Sequence, residues 1–327
     1  MINIFISGRN QETIIPFLTV WSNRASKRIR LVPYGQIHRL RRIEPGLFVF
    51  ADIDRITPSQ QPMVEELQRQ LTTRFGGESI LNLPSRVLQR FDLLMLLWKF
   101  GINEFRPYSW SEIETVSRFP VFVRRANDHS GPRSPLIYDS QKLREECQRL
   151  GKVRRFRNRL ILVEYCETRG EDGLYRKYSA FRIGERIIPG HVIFLRDWVA
   201  KDNAPGPMRR EERLYLEENP HRDELLRLFR LAGIEYGRID YSLKDGAIVV
   251  WEINTNPILI GEKKNYLAEV YPMKQRLADQ LAAAFLAAEE TSDNHKRSDN
   301  SLHLPSQPRS WIHWPAALDT LARPIHL

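Results

Sequence analysis

The stretch that decides the reading runs Gly237-Arg238-Ile239-Asp240-Tyr241-Ser242-Leu243-Lys244-Asp245-Gly246 and continues as Ala247-Ile248-Val249-Val250-Trp251-Glu252-Ile253-Asn254-Thr255-Asn256-Pro257. Strand patterns flank a Lys-Asp-Gly turn, which predicts a β-hairpin. Such a hairpin sets Asp240 opposite Glu252, and Asn254, two residues on, points to the same side. Two carboxylates and an amide oxygen then converge. Buried carboxylates that close repel each other unless a cation intervenes, and an all-oxygen set is what magnesium accepts, with phosphate oxygens completing the octahedron. Asp240, Glu252 and Asn254 are therefore the candidate metal ligands. The alternative on spacing alone is a turn with a capping Asn and surface acids, beside an ordinary Arg238–Asp240 ion pair.

Outward from the hairpin, a helix is predicted at 221–232, and upstream of it the strand patterns Tyr175–Ile183 and Arg186–Phe194 meet at Gly184-Glu185, a hairpin turn. Arg159–Cys166 reads as a further strand, preceded by a charged helix over about 139–150. Phe119–Val123 reads as a buried strand that delivers Arg124 and Arg125 into the turn-rich loop Asn127-Asp128-His129-Ser130-Gly131-Pro132. Ahead of it, Asn82-Leu83-Pro84-Ser85 opens an apolar helix, 85–100, stopped by Gly101. Residues 2–7, 46–51 and 58–75 read as strand, strand and helix, a small α/β unit of about 80 residues. Beyond Pro257 an amphipathic helix is predicted at 264–288, and past Glu289 the polar run lacks the apolar content to offset ordering entropy. Runs of helices and strands with antiparallel hairpins predict an α+β architecture.

The chain has 327 residues, 42% hydrophobic and 28% charged, the balance of a soluble globular protein. The longest apolar run, Leu93–Trp98, is far short of the roughly 20 residues that span a bilayer. The start, Met1–Asn10, lacks a secretory pattern, and Cys147 and Cys166 sit outside any paired ligand spacing, so the expected compartment is the cytoplasm. Net charge is +10. Between Arg118 and Leu160 twelve basic residues face four acidic ones, which suits a polyanion, either nucleic acid or a triphosphate, or else a solvated helix face.

Residues 237–257 resemble the matching segment of the ATP-grasp superfamily, especially D-alanine:D-alanine ligases and the ligases that add glutamate to a ribosomal protein tail. Gln89-Arg90 with Gly101-Ile102 downstream is similar to the entry into that family's central domain. Phe119–Arg124 is similar to the strand ending in its other ATP-binding basic residue. Val163-Glu164-Tyr165-Cys166 looks like the hinge whose backbone binds adenine, and Ile188-Pro189 also fits. The resemblance covers about 80–290 and implies four parts: a preceding α/β domain at 1–80, a central subdomain at 81–165, a C-terminal subdomain at 166–288, and a tail at 289–327.

The resemblance implies a nucleotide clamped between two α+β subdomains, with ATP and magnesium as cofactors. Asp240, Glu252 and Asn254 would hold the metal. Arg90, Arg124, Glu164, Tyr165, Cys166, Lys177 and Lys201 would line the nucleotide, and Arg238 would hold the oxyanion of an acyl phosphate under attack by an amine. Arg90 and Arg124 stand where lysines are typical. Lys177 falls near a position often acidic for ribose, which Glu171 or Asp172 could replace, and His129 in the loop could contact phosphate. Ile258 stands in place of the glycine of D-alanine:D-alanine ligases, which argues against D-alanine as substrate. The expected function is a ligase joining a small-molecule or peptide carboxylate to an amine, with ADP and phosphate released. The competing readings are a nucleotide- or polyanion-binding protein without turnover, with nucleic acid as the salt-sensitive partner, and phosphoryl transfer without ligation. Oligomeric state is not legible in the residues.

Overall fold

The computed structural model describes residues 1–21, 23–128, 131–152, 159–199, 210–293 and 302–303, which fold as an α+β protein built on three main sheets. The first contains strands β1 (Ile2–Ile6), β2 (Ile29–Pro33), β4 (Leu47–Phe50) and β5 (Ile80–Leu81), all parallel in the order β2-β1-β4-β5. A short strand β3 (Arg42–Ile43) lies outside it. Every residue of β1 and β4 is buried, as a parallel sheet covered on both faces requires. Alternate side chains divide between the faces. Phe5, Phe48 and Phe50 meet Val64, Leu67 and Leu71 of one helix, while Ile2, Ile4, Leu47 and Val49 meet Leu281 and Phe285 of another.

The helices, in chain order, are α1 (Ile15–Thr19), α2 (Gln61–Phe75), α3 (Arg90–Lys99), α4 (Ser140–Leu150), α5 (Arg210–Glu218), α6 (Arg222–Leu231) and α7 (Tyr271–Asp293). The second sheet is antiparallel, β6 (Pro107–Ser109), β8 (Leu160–Glu164) and β7 (Val121–Arg125), in that order. Val121, Val123, Leu160 and Leu162 bury one face against Leu143 and Cys147 of α4. Phe122, Ile161 and Val163 face the other way, toward the third sheet.

That third sheet, β10 (Arg186–Leu195), β9 (Tyr175–Ile183), β11 (Tyr236–Lys244) and β12 (Ala247–Asn254), is fully antiparallel. Tyr178, Ala180, Ile239 and Tyr241 pack outward under Leu93, Leu97, Tyr215, Leu225 and Phe229 of α3, α5 and α6. The interleaved residues Lys177, Ser179, Arg238 and Asp240 belong to the opposite face by the two-residue period of a strand. That face looks across a cleft at the second sheet.

Several elements differ from the sequence reading. The apolar helix begins at Arg90 rather than 85, because residues 84–86 form a turn at Pro84 and 87–89 are irregular. The last helix begins at Tyr271 rather than 264 and continues past 288 to Asp293. The polar residues at its end are satisfied: Glu289 accepts from Arg28 Nε and Nη2 at 2.7 Å and from the Met1 amino group, and the Ser292 hydroxyl donates to the Gly46 carbonyl at 3.0 Å. Strands β2, β5 and β6 and helix α5 carry too short or too polar a pattern to stand out in the sequence. A strand β13 (Leu302–His303) pairs with β3, and Trp311 and Trp314 lie outside the described residues.

Candidate active site

The hairpin places its carboxylates as the spacing predicts: Asp240 of β11 pairs in register with Glu252 of β12, and Arg238 with Asn254. After Asp240 the register shifts, Tyr241 pairing with Val250, so Trp251 is an extra residue in a bulge. A bulge re-aims side chains, and Trp251 stacks on Phe105 with centroids 5.4 Å apart while its indole N–H donates to the Ser242 hydroxyl at 2.8 Å.

Both carboxylates are buried and each is held by two basic side chains. Asp240, 1% exposed, accepts from Arg238 Nε at 2.8 Å and Nη2 at 3.2 Å, and pairs with Lys177 Nζ at 2.7 Å. Burial opposes ionisation of Asp240, but the charges of Arg238 and Lys177 outweigh it and hold the carboxyl below its usual range. Glu252 accepts from Arg124 Nη2 at 3.0 Å and from Arg90 Nη2. Burial and the neighbouring charge of Arg90 push the Arg124 pKa down, against the pull of Glu252. Four cations therefore surround two carboxylates, and this corner of the cleft keeps a surplus of positive charge. Asn254 Oδ1 accepts from the Asn256 N–H at 2.7 Å, which turns the chain after β12.

Arg90 does more than face Glu252. Its Nη1 donates to the carbonyls of Arg125, Ala126 and Asp128 at 2.9, 3.0 and 2.7 Å. Asp128 is in turn paired with Arg125 and Arg133, both at 3.1 Å. Arg90 is thus chiefly an anchor for the loop after β7, a role that a guanidinium's fork of donors permits and a lysine's single nitrogen does not.

The other end of the cleft is a cavity of about 1050 Å³ beside the segment after β8, lined among others by Pro120, Leu136, Tyr165, Cys166, Glu167 and Trp198. Trp198 packs on Phe122 and Tyr165, with centroids 5.1 and 5.8 Å away. The Glu164 side chain points away from the cleft, accepting from the Tyr108 hydroxyl at 2.7 Å and the Arg106 N–H at 3.0 Å. The Glu164 and Tyr165 N–H groups donate to Arg106 and Pro120 carbonyls. The Cys166 N–H finds no partner among the described residues, and burial raises its thiol pKa, so its backbone rather than its sulfur is available. Lys244, at the far end of β11 from Asp240, also lines the cavity. At a rise of about 3.3 Å per residue, the four steps from Asp240 to Lys244 separate cavity and charged corner by about 13 Å.

The structure brings together Arg90, Arg124, Lys177, Arg238, Asp240 and Glu252, with Asn254 on the neighbouring register position, and sets Tyr165 and Cys166 on the cavity wall. Lys177 lies against Asp240. The acid on the cavity wall is Glu167, which the sequence reading passed over, while Asp172 is paired with Arg176 at 2.8 Å. Lys201 and His129 lie outside the described residues. Within the basic stretch 118–160, Arg118, Arg125, Arg133, Arg144 and Arg149 pair with carboxylates.

The donor set fits a hard divalent ion: Asp240, Glu252 and Asn254 offer only oxygen, from buried and register-opposed positions. Among the described residues no three His, Cys, Asp or Glu side chains converge. No described helix is long and apolar enough to cross a membrane.

No family model and no curated protein sequence matches the chain. Among solved structures, D-alanine–D-alanine ligase from Bacillus anthracis superposes with a TM-score of 0.53 at 13% identity, over 90% of this chain and 100% of that one. Its complex with ATP gives 0.51 over the same shares, also at 13% identity. The ATP-grasp ligase PsnB, complexed with a minimal precursor, gives 0.52 at 13% identity, covering 88% of this chain and 99% of its own. The chain has the ATP-grasp fold.

Proposed function

We propose that the protein is an ATP-dependent ligase that activates a carboxylate as an acyl phosphate and joins it to an amine. The observation that carries this reading is the pairing of Asp240 with Glu252 among four basic side chains, about 13 Å along the cleft from a cavity with an available hinge N–H. A neutral base fits the cavity, between Trp198 and Leu136 and against the Cys166 N–H. A polyphosphate fits the charged corner. The same fold in a structure complexed with ATP supports nucleotide as the ligand.

Asp240, Glu252 and Asn254 would hold magnesium, which when bound neutralises phosphate oxygens. Arg124 and Lys177, which rest on the two carboxylates, are placed to move onto phosphate oxygens, since charge-assisted bonds to either anion are equivalent in kind. Arg90 keeps the loop 125–128 against the corner and excludes water from it. The substrate carboxylate attacks the terminal phosphorus and ADP leaves. The amine then attacks the acyl carbon, the oxyanion forms beside Arg238, and phosphate departs with the amine proton passed to a base. Arg238 is fixed by two bonds to Asp240, so it presents charge without reorganising.

The test is magnesium-dependent ATP binding followed by phosphate release with pooled amino acids, peptides and carboxylates. ATP binding together with acceptor-dependent ADP formation is expected. ATP binding with no ADP under any pool, or a stable phosphorylated product formed without an amine, would refute ligation.

A further inference from the structure

Lys177 reaches Asp240 from β9, where Ser179, two residues on, is the register partner of Asp240, a diagonal that a long side chain spans. Beside it β10 bulges, Pro189 pairing with Ala180 and His191 with Ser179, which leaves Gly190 between them. Asp240 carries Lys177 Nζ at 2.7 Å on Oδ2 and Arg238 Nε at 2.8 Å on Oδ1, so each of its oxygens already holds a cationic donor. Glu252 holds Arg124 at 3.0 Å and Arg90 on the same oxygen. Four cations against two carboxylates leave these six side chains two positive charges in excess.

That balance works against a lone metal ion. Magnesium on Asp240 Oδ2, at its usual ligand distance of about 2.1 Å, would stand within about 4.8 Å of the Lys177 ammonium. Asp240 and Glu252 are 1% and 8% exposed, so water and salt screen the repulsion poorly. The same corner has a donor to spare. Arg124 Nε is buried and has no hydrogen-bond partner among the described residues, a cost to stability that an anionic oxygen removes.

The four cations are not equally fixed. Arg90 is tied to three carbonyls and Arg238 grips Asp240 by two bonds, whereas Lys177 has only its carboxylate among the described residues. Its side chain is also the most exposed of the four, at 30%, and an ammonium on a flexible stem changes partner readily.

We propose that this corner takes a polyphosphate before any metal, and that Lys177 keeps divalent ions off Asp240 until the anion draws its ammonium away. The inference rests on the ligase reading for the identity of the natural polyphosphate, a nucleotide, but the order of binding is measured without turnover.

The probes are Mn2+ and tripolyphosphate, added separately to the full chain. The metal is followed by its electron paramagnetic resonance signal and the anion by calorimetry in excess EDTA. The parent should bind tripolyphosphate saturably without metal, and Mn2+ alone no tighter than about 1 mM. In Lys177→Met the two affinities should move in opposite directions, Mn2+ at least about tenfold tighter and tripolyphosphate at least about tenfold weaker, the size of one charge-assisted bond. A folding defect would weaken both. Lys177→Arg, which keeps the cation, should match the parent. Tripolyphosphate bound by the parent only when a divalent ion is present, or Mn2+ bound by Lys177→Met no more tightly than by the parent, would each overturn the proposal. Tripolyphosphate binding in EDTA with no binding of ADP under any condition would keep the order and remove the ligase reading.

Discussion

Replacing Glu252 by glutamine removes the anion that Arg90 and Arg124 share, while the shape of the side chain is kept. The two arginine side chains are only 6% and 13% exposed, so water cannot take over the role of the carboxylate. Two unit charges about 4 Å apart repel by about 4 kcal/mol at an effective permittivity of ~20. Loss of one partner from a buried pair costs about 3–5 kcal/mol, in the same range. Hydrogen bonds to the amide oxygen offset part of this, leaving an expected loss of about 3 kcal/mol. The unpaired guanidiniums should then recruit an anion from solution. Tripolyphosphate in excess EDTA should stabilise Glu252→Gln more than the parent, and a ligand at a hundred times its Kd contributes about 2.7 kcal/mol. Urea unfolding followed by tryptophan fluorescence, with and without tripolyphosphate, measures both effects. A loss below about 1 kcal/mol, or equal stabilisation of variant and parent by tripolyphosphate, would show that the arginines do not depend on Glu252.

Arg90→Lys should lose the bonds to the 125–128 carbonyls, with a destabilisation of about 1–3 kcal/mol and faster proteolytic cleavage in that loop, read by limited digestion. Gly190→Ala should cost about 1–3 kcal/mol in urea unfolding, because its methyl group would collide with Ser179 and Phe181. Glu289→Gln should destabilise by about 1–3 kcal/mol at neutral pH. Burial opposes ionisation of Glu289, but Arg28 and the Met1 amino group overcome this and hold its pKa below the ordinary value. Its contribution is thus present above about pH 4.3 and lost as the pH falls through the lowered folded value, so parent and variant should converge in acid in a pH series of urea midpoints. Trp198→Phe should abolish most of any fluorescence change on ATP binding, if the base enters beside Phe122 and Tyr165; an unchanged signal would place the base elsewhere.

The hairpin register was legible because a tight turn and strand alternation leave a single way to set Asp240 opposite Glu252. The bulge at Trp251 was not, since nothing in the residues distinguishes an extra strand position from a regular one. Arg90 and Arg124 were legible as basic residues at the cleft, yet the bonds from Arg90 to three carbonyls depend on how the loop after β7 folds back, a tertiary fact. Lys177 was legible as a residue of the nucleotide cleft through the resemblance, but its pairing with Asp240 was not, because the two are distant in sequence. His191 gave a signal in Pro189-Gly190-His191, where a glycine between strand residues suggests a bulge. The end of α7 was misjudged because Glu289 and Ser292 look solvated by composition and are instead satisfied by the N-terminal region.

Helix α7 packs at once on the first sheet, through Ile4 and Val49, and on the third, through Phe181 and Tyr236. Those two sheets are consequently riveted into one frame by a shared apolar spine, and Trp21 adds a bond to the Gly261 carbonyl at 2.8 Å. The three-stranded unit and the segment leading into it meet that frame through the Phe105–Trp251 patch, the Asn103 side chain bonded both ways to Val250, and the arginines on Glu252. The charges that hold this unit on the frame, Arg90 and Arg124 on the shared carboxylate of Glu252, are thus of the kind for which a polyanion competes.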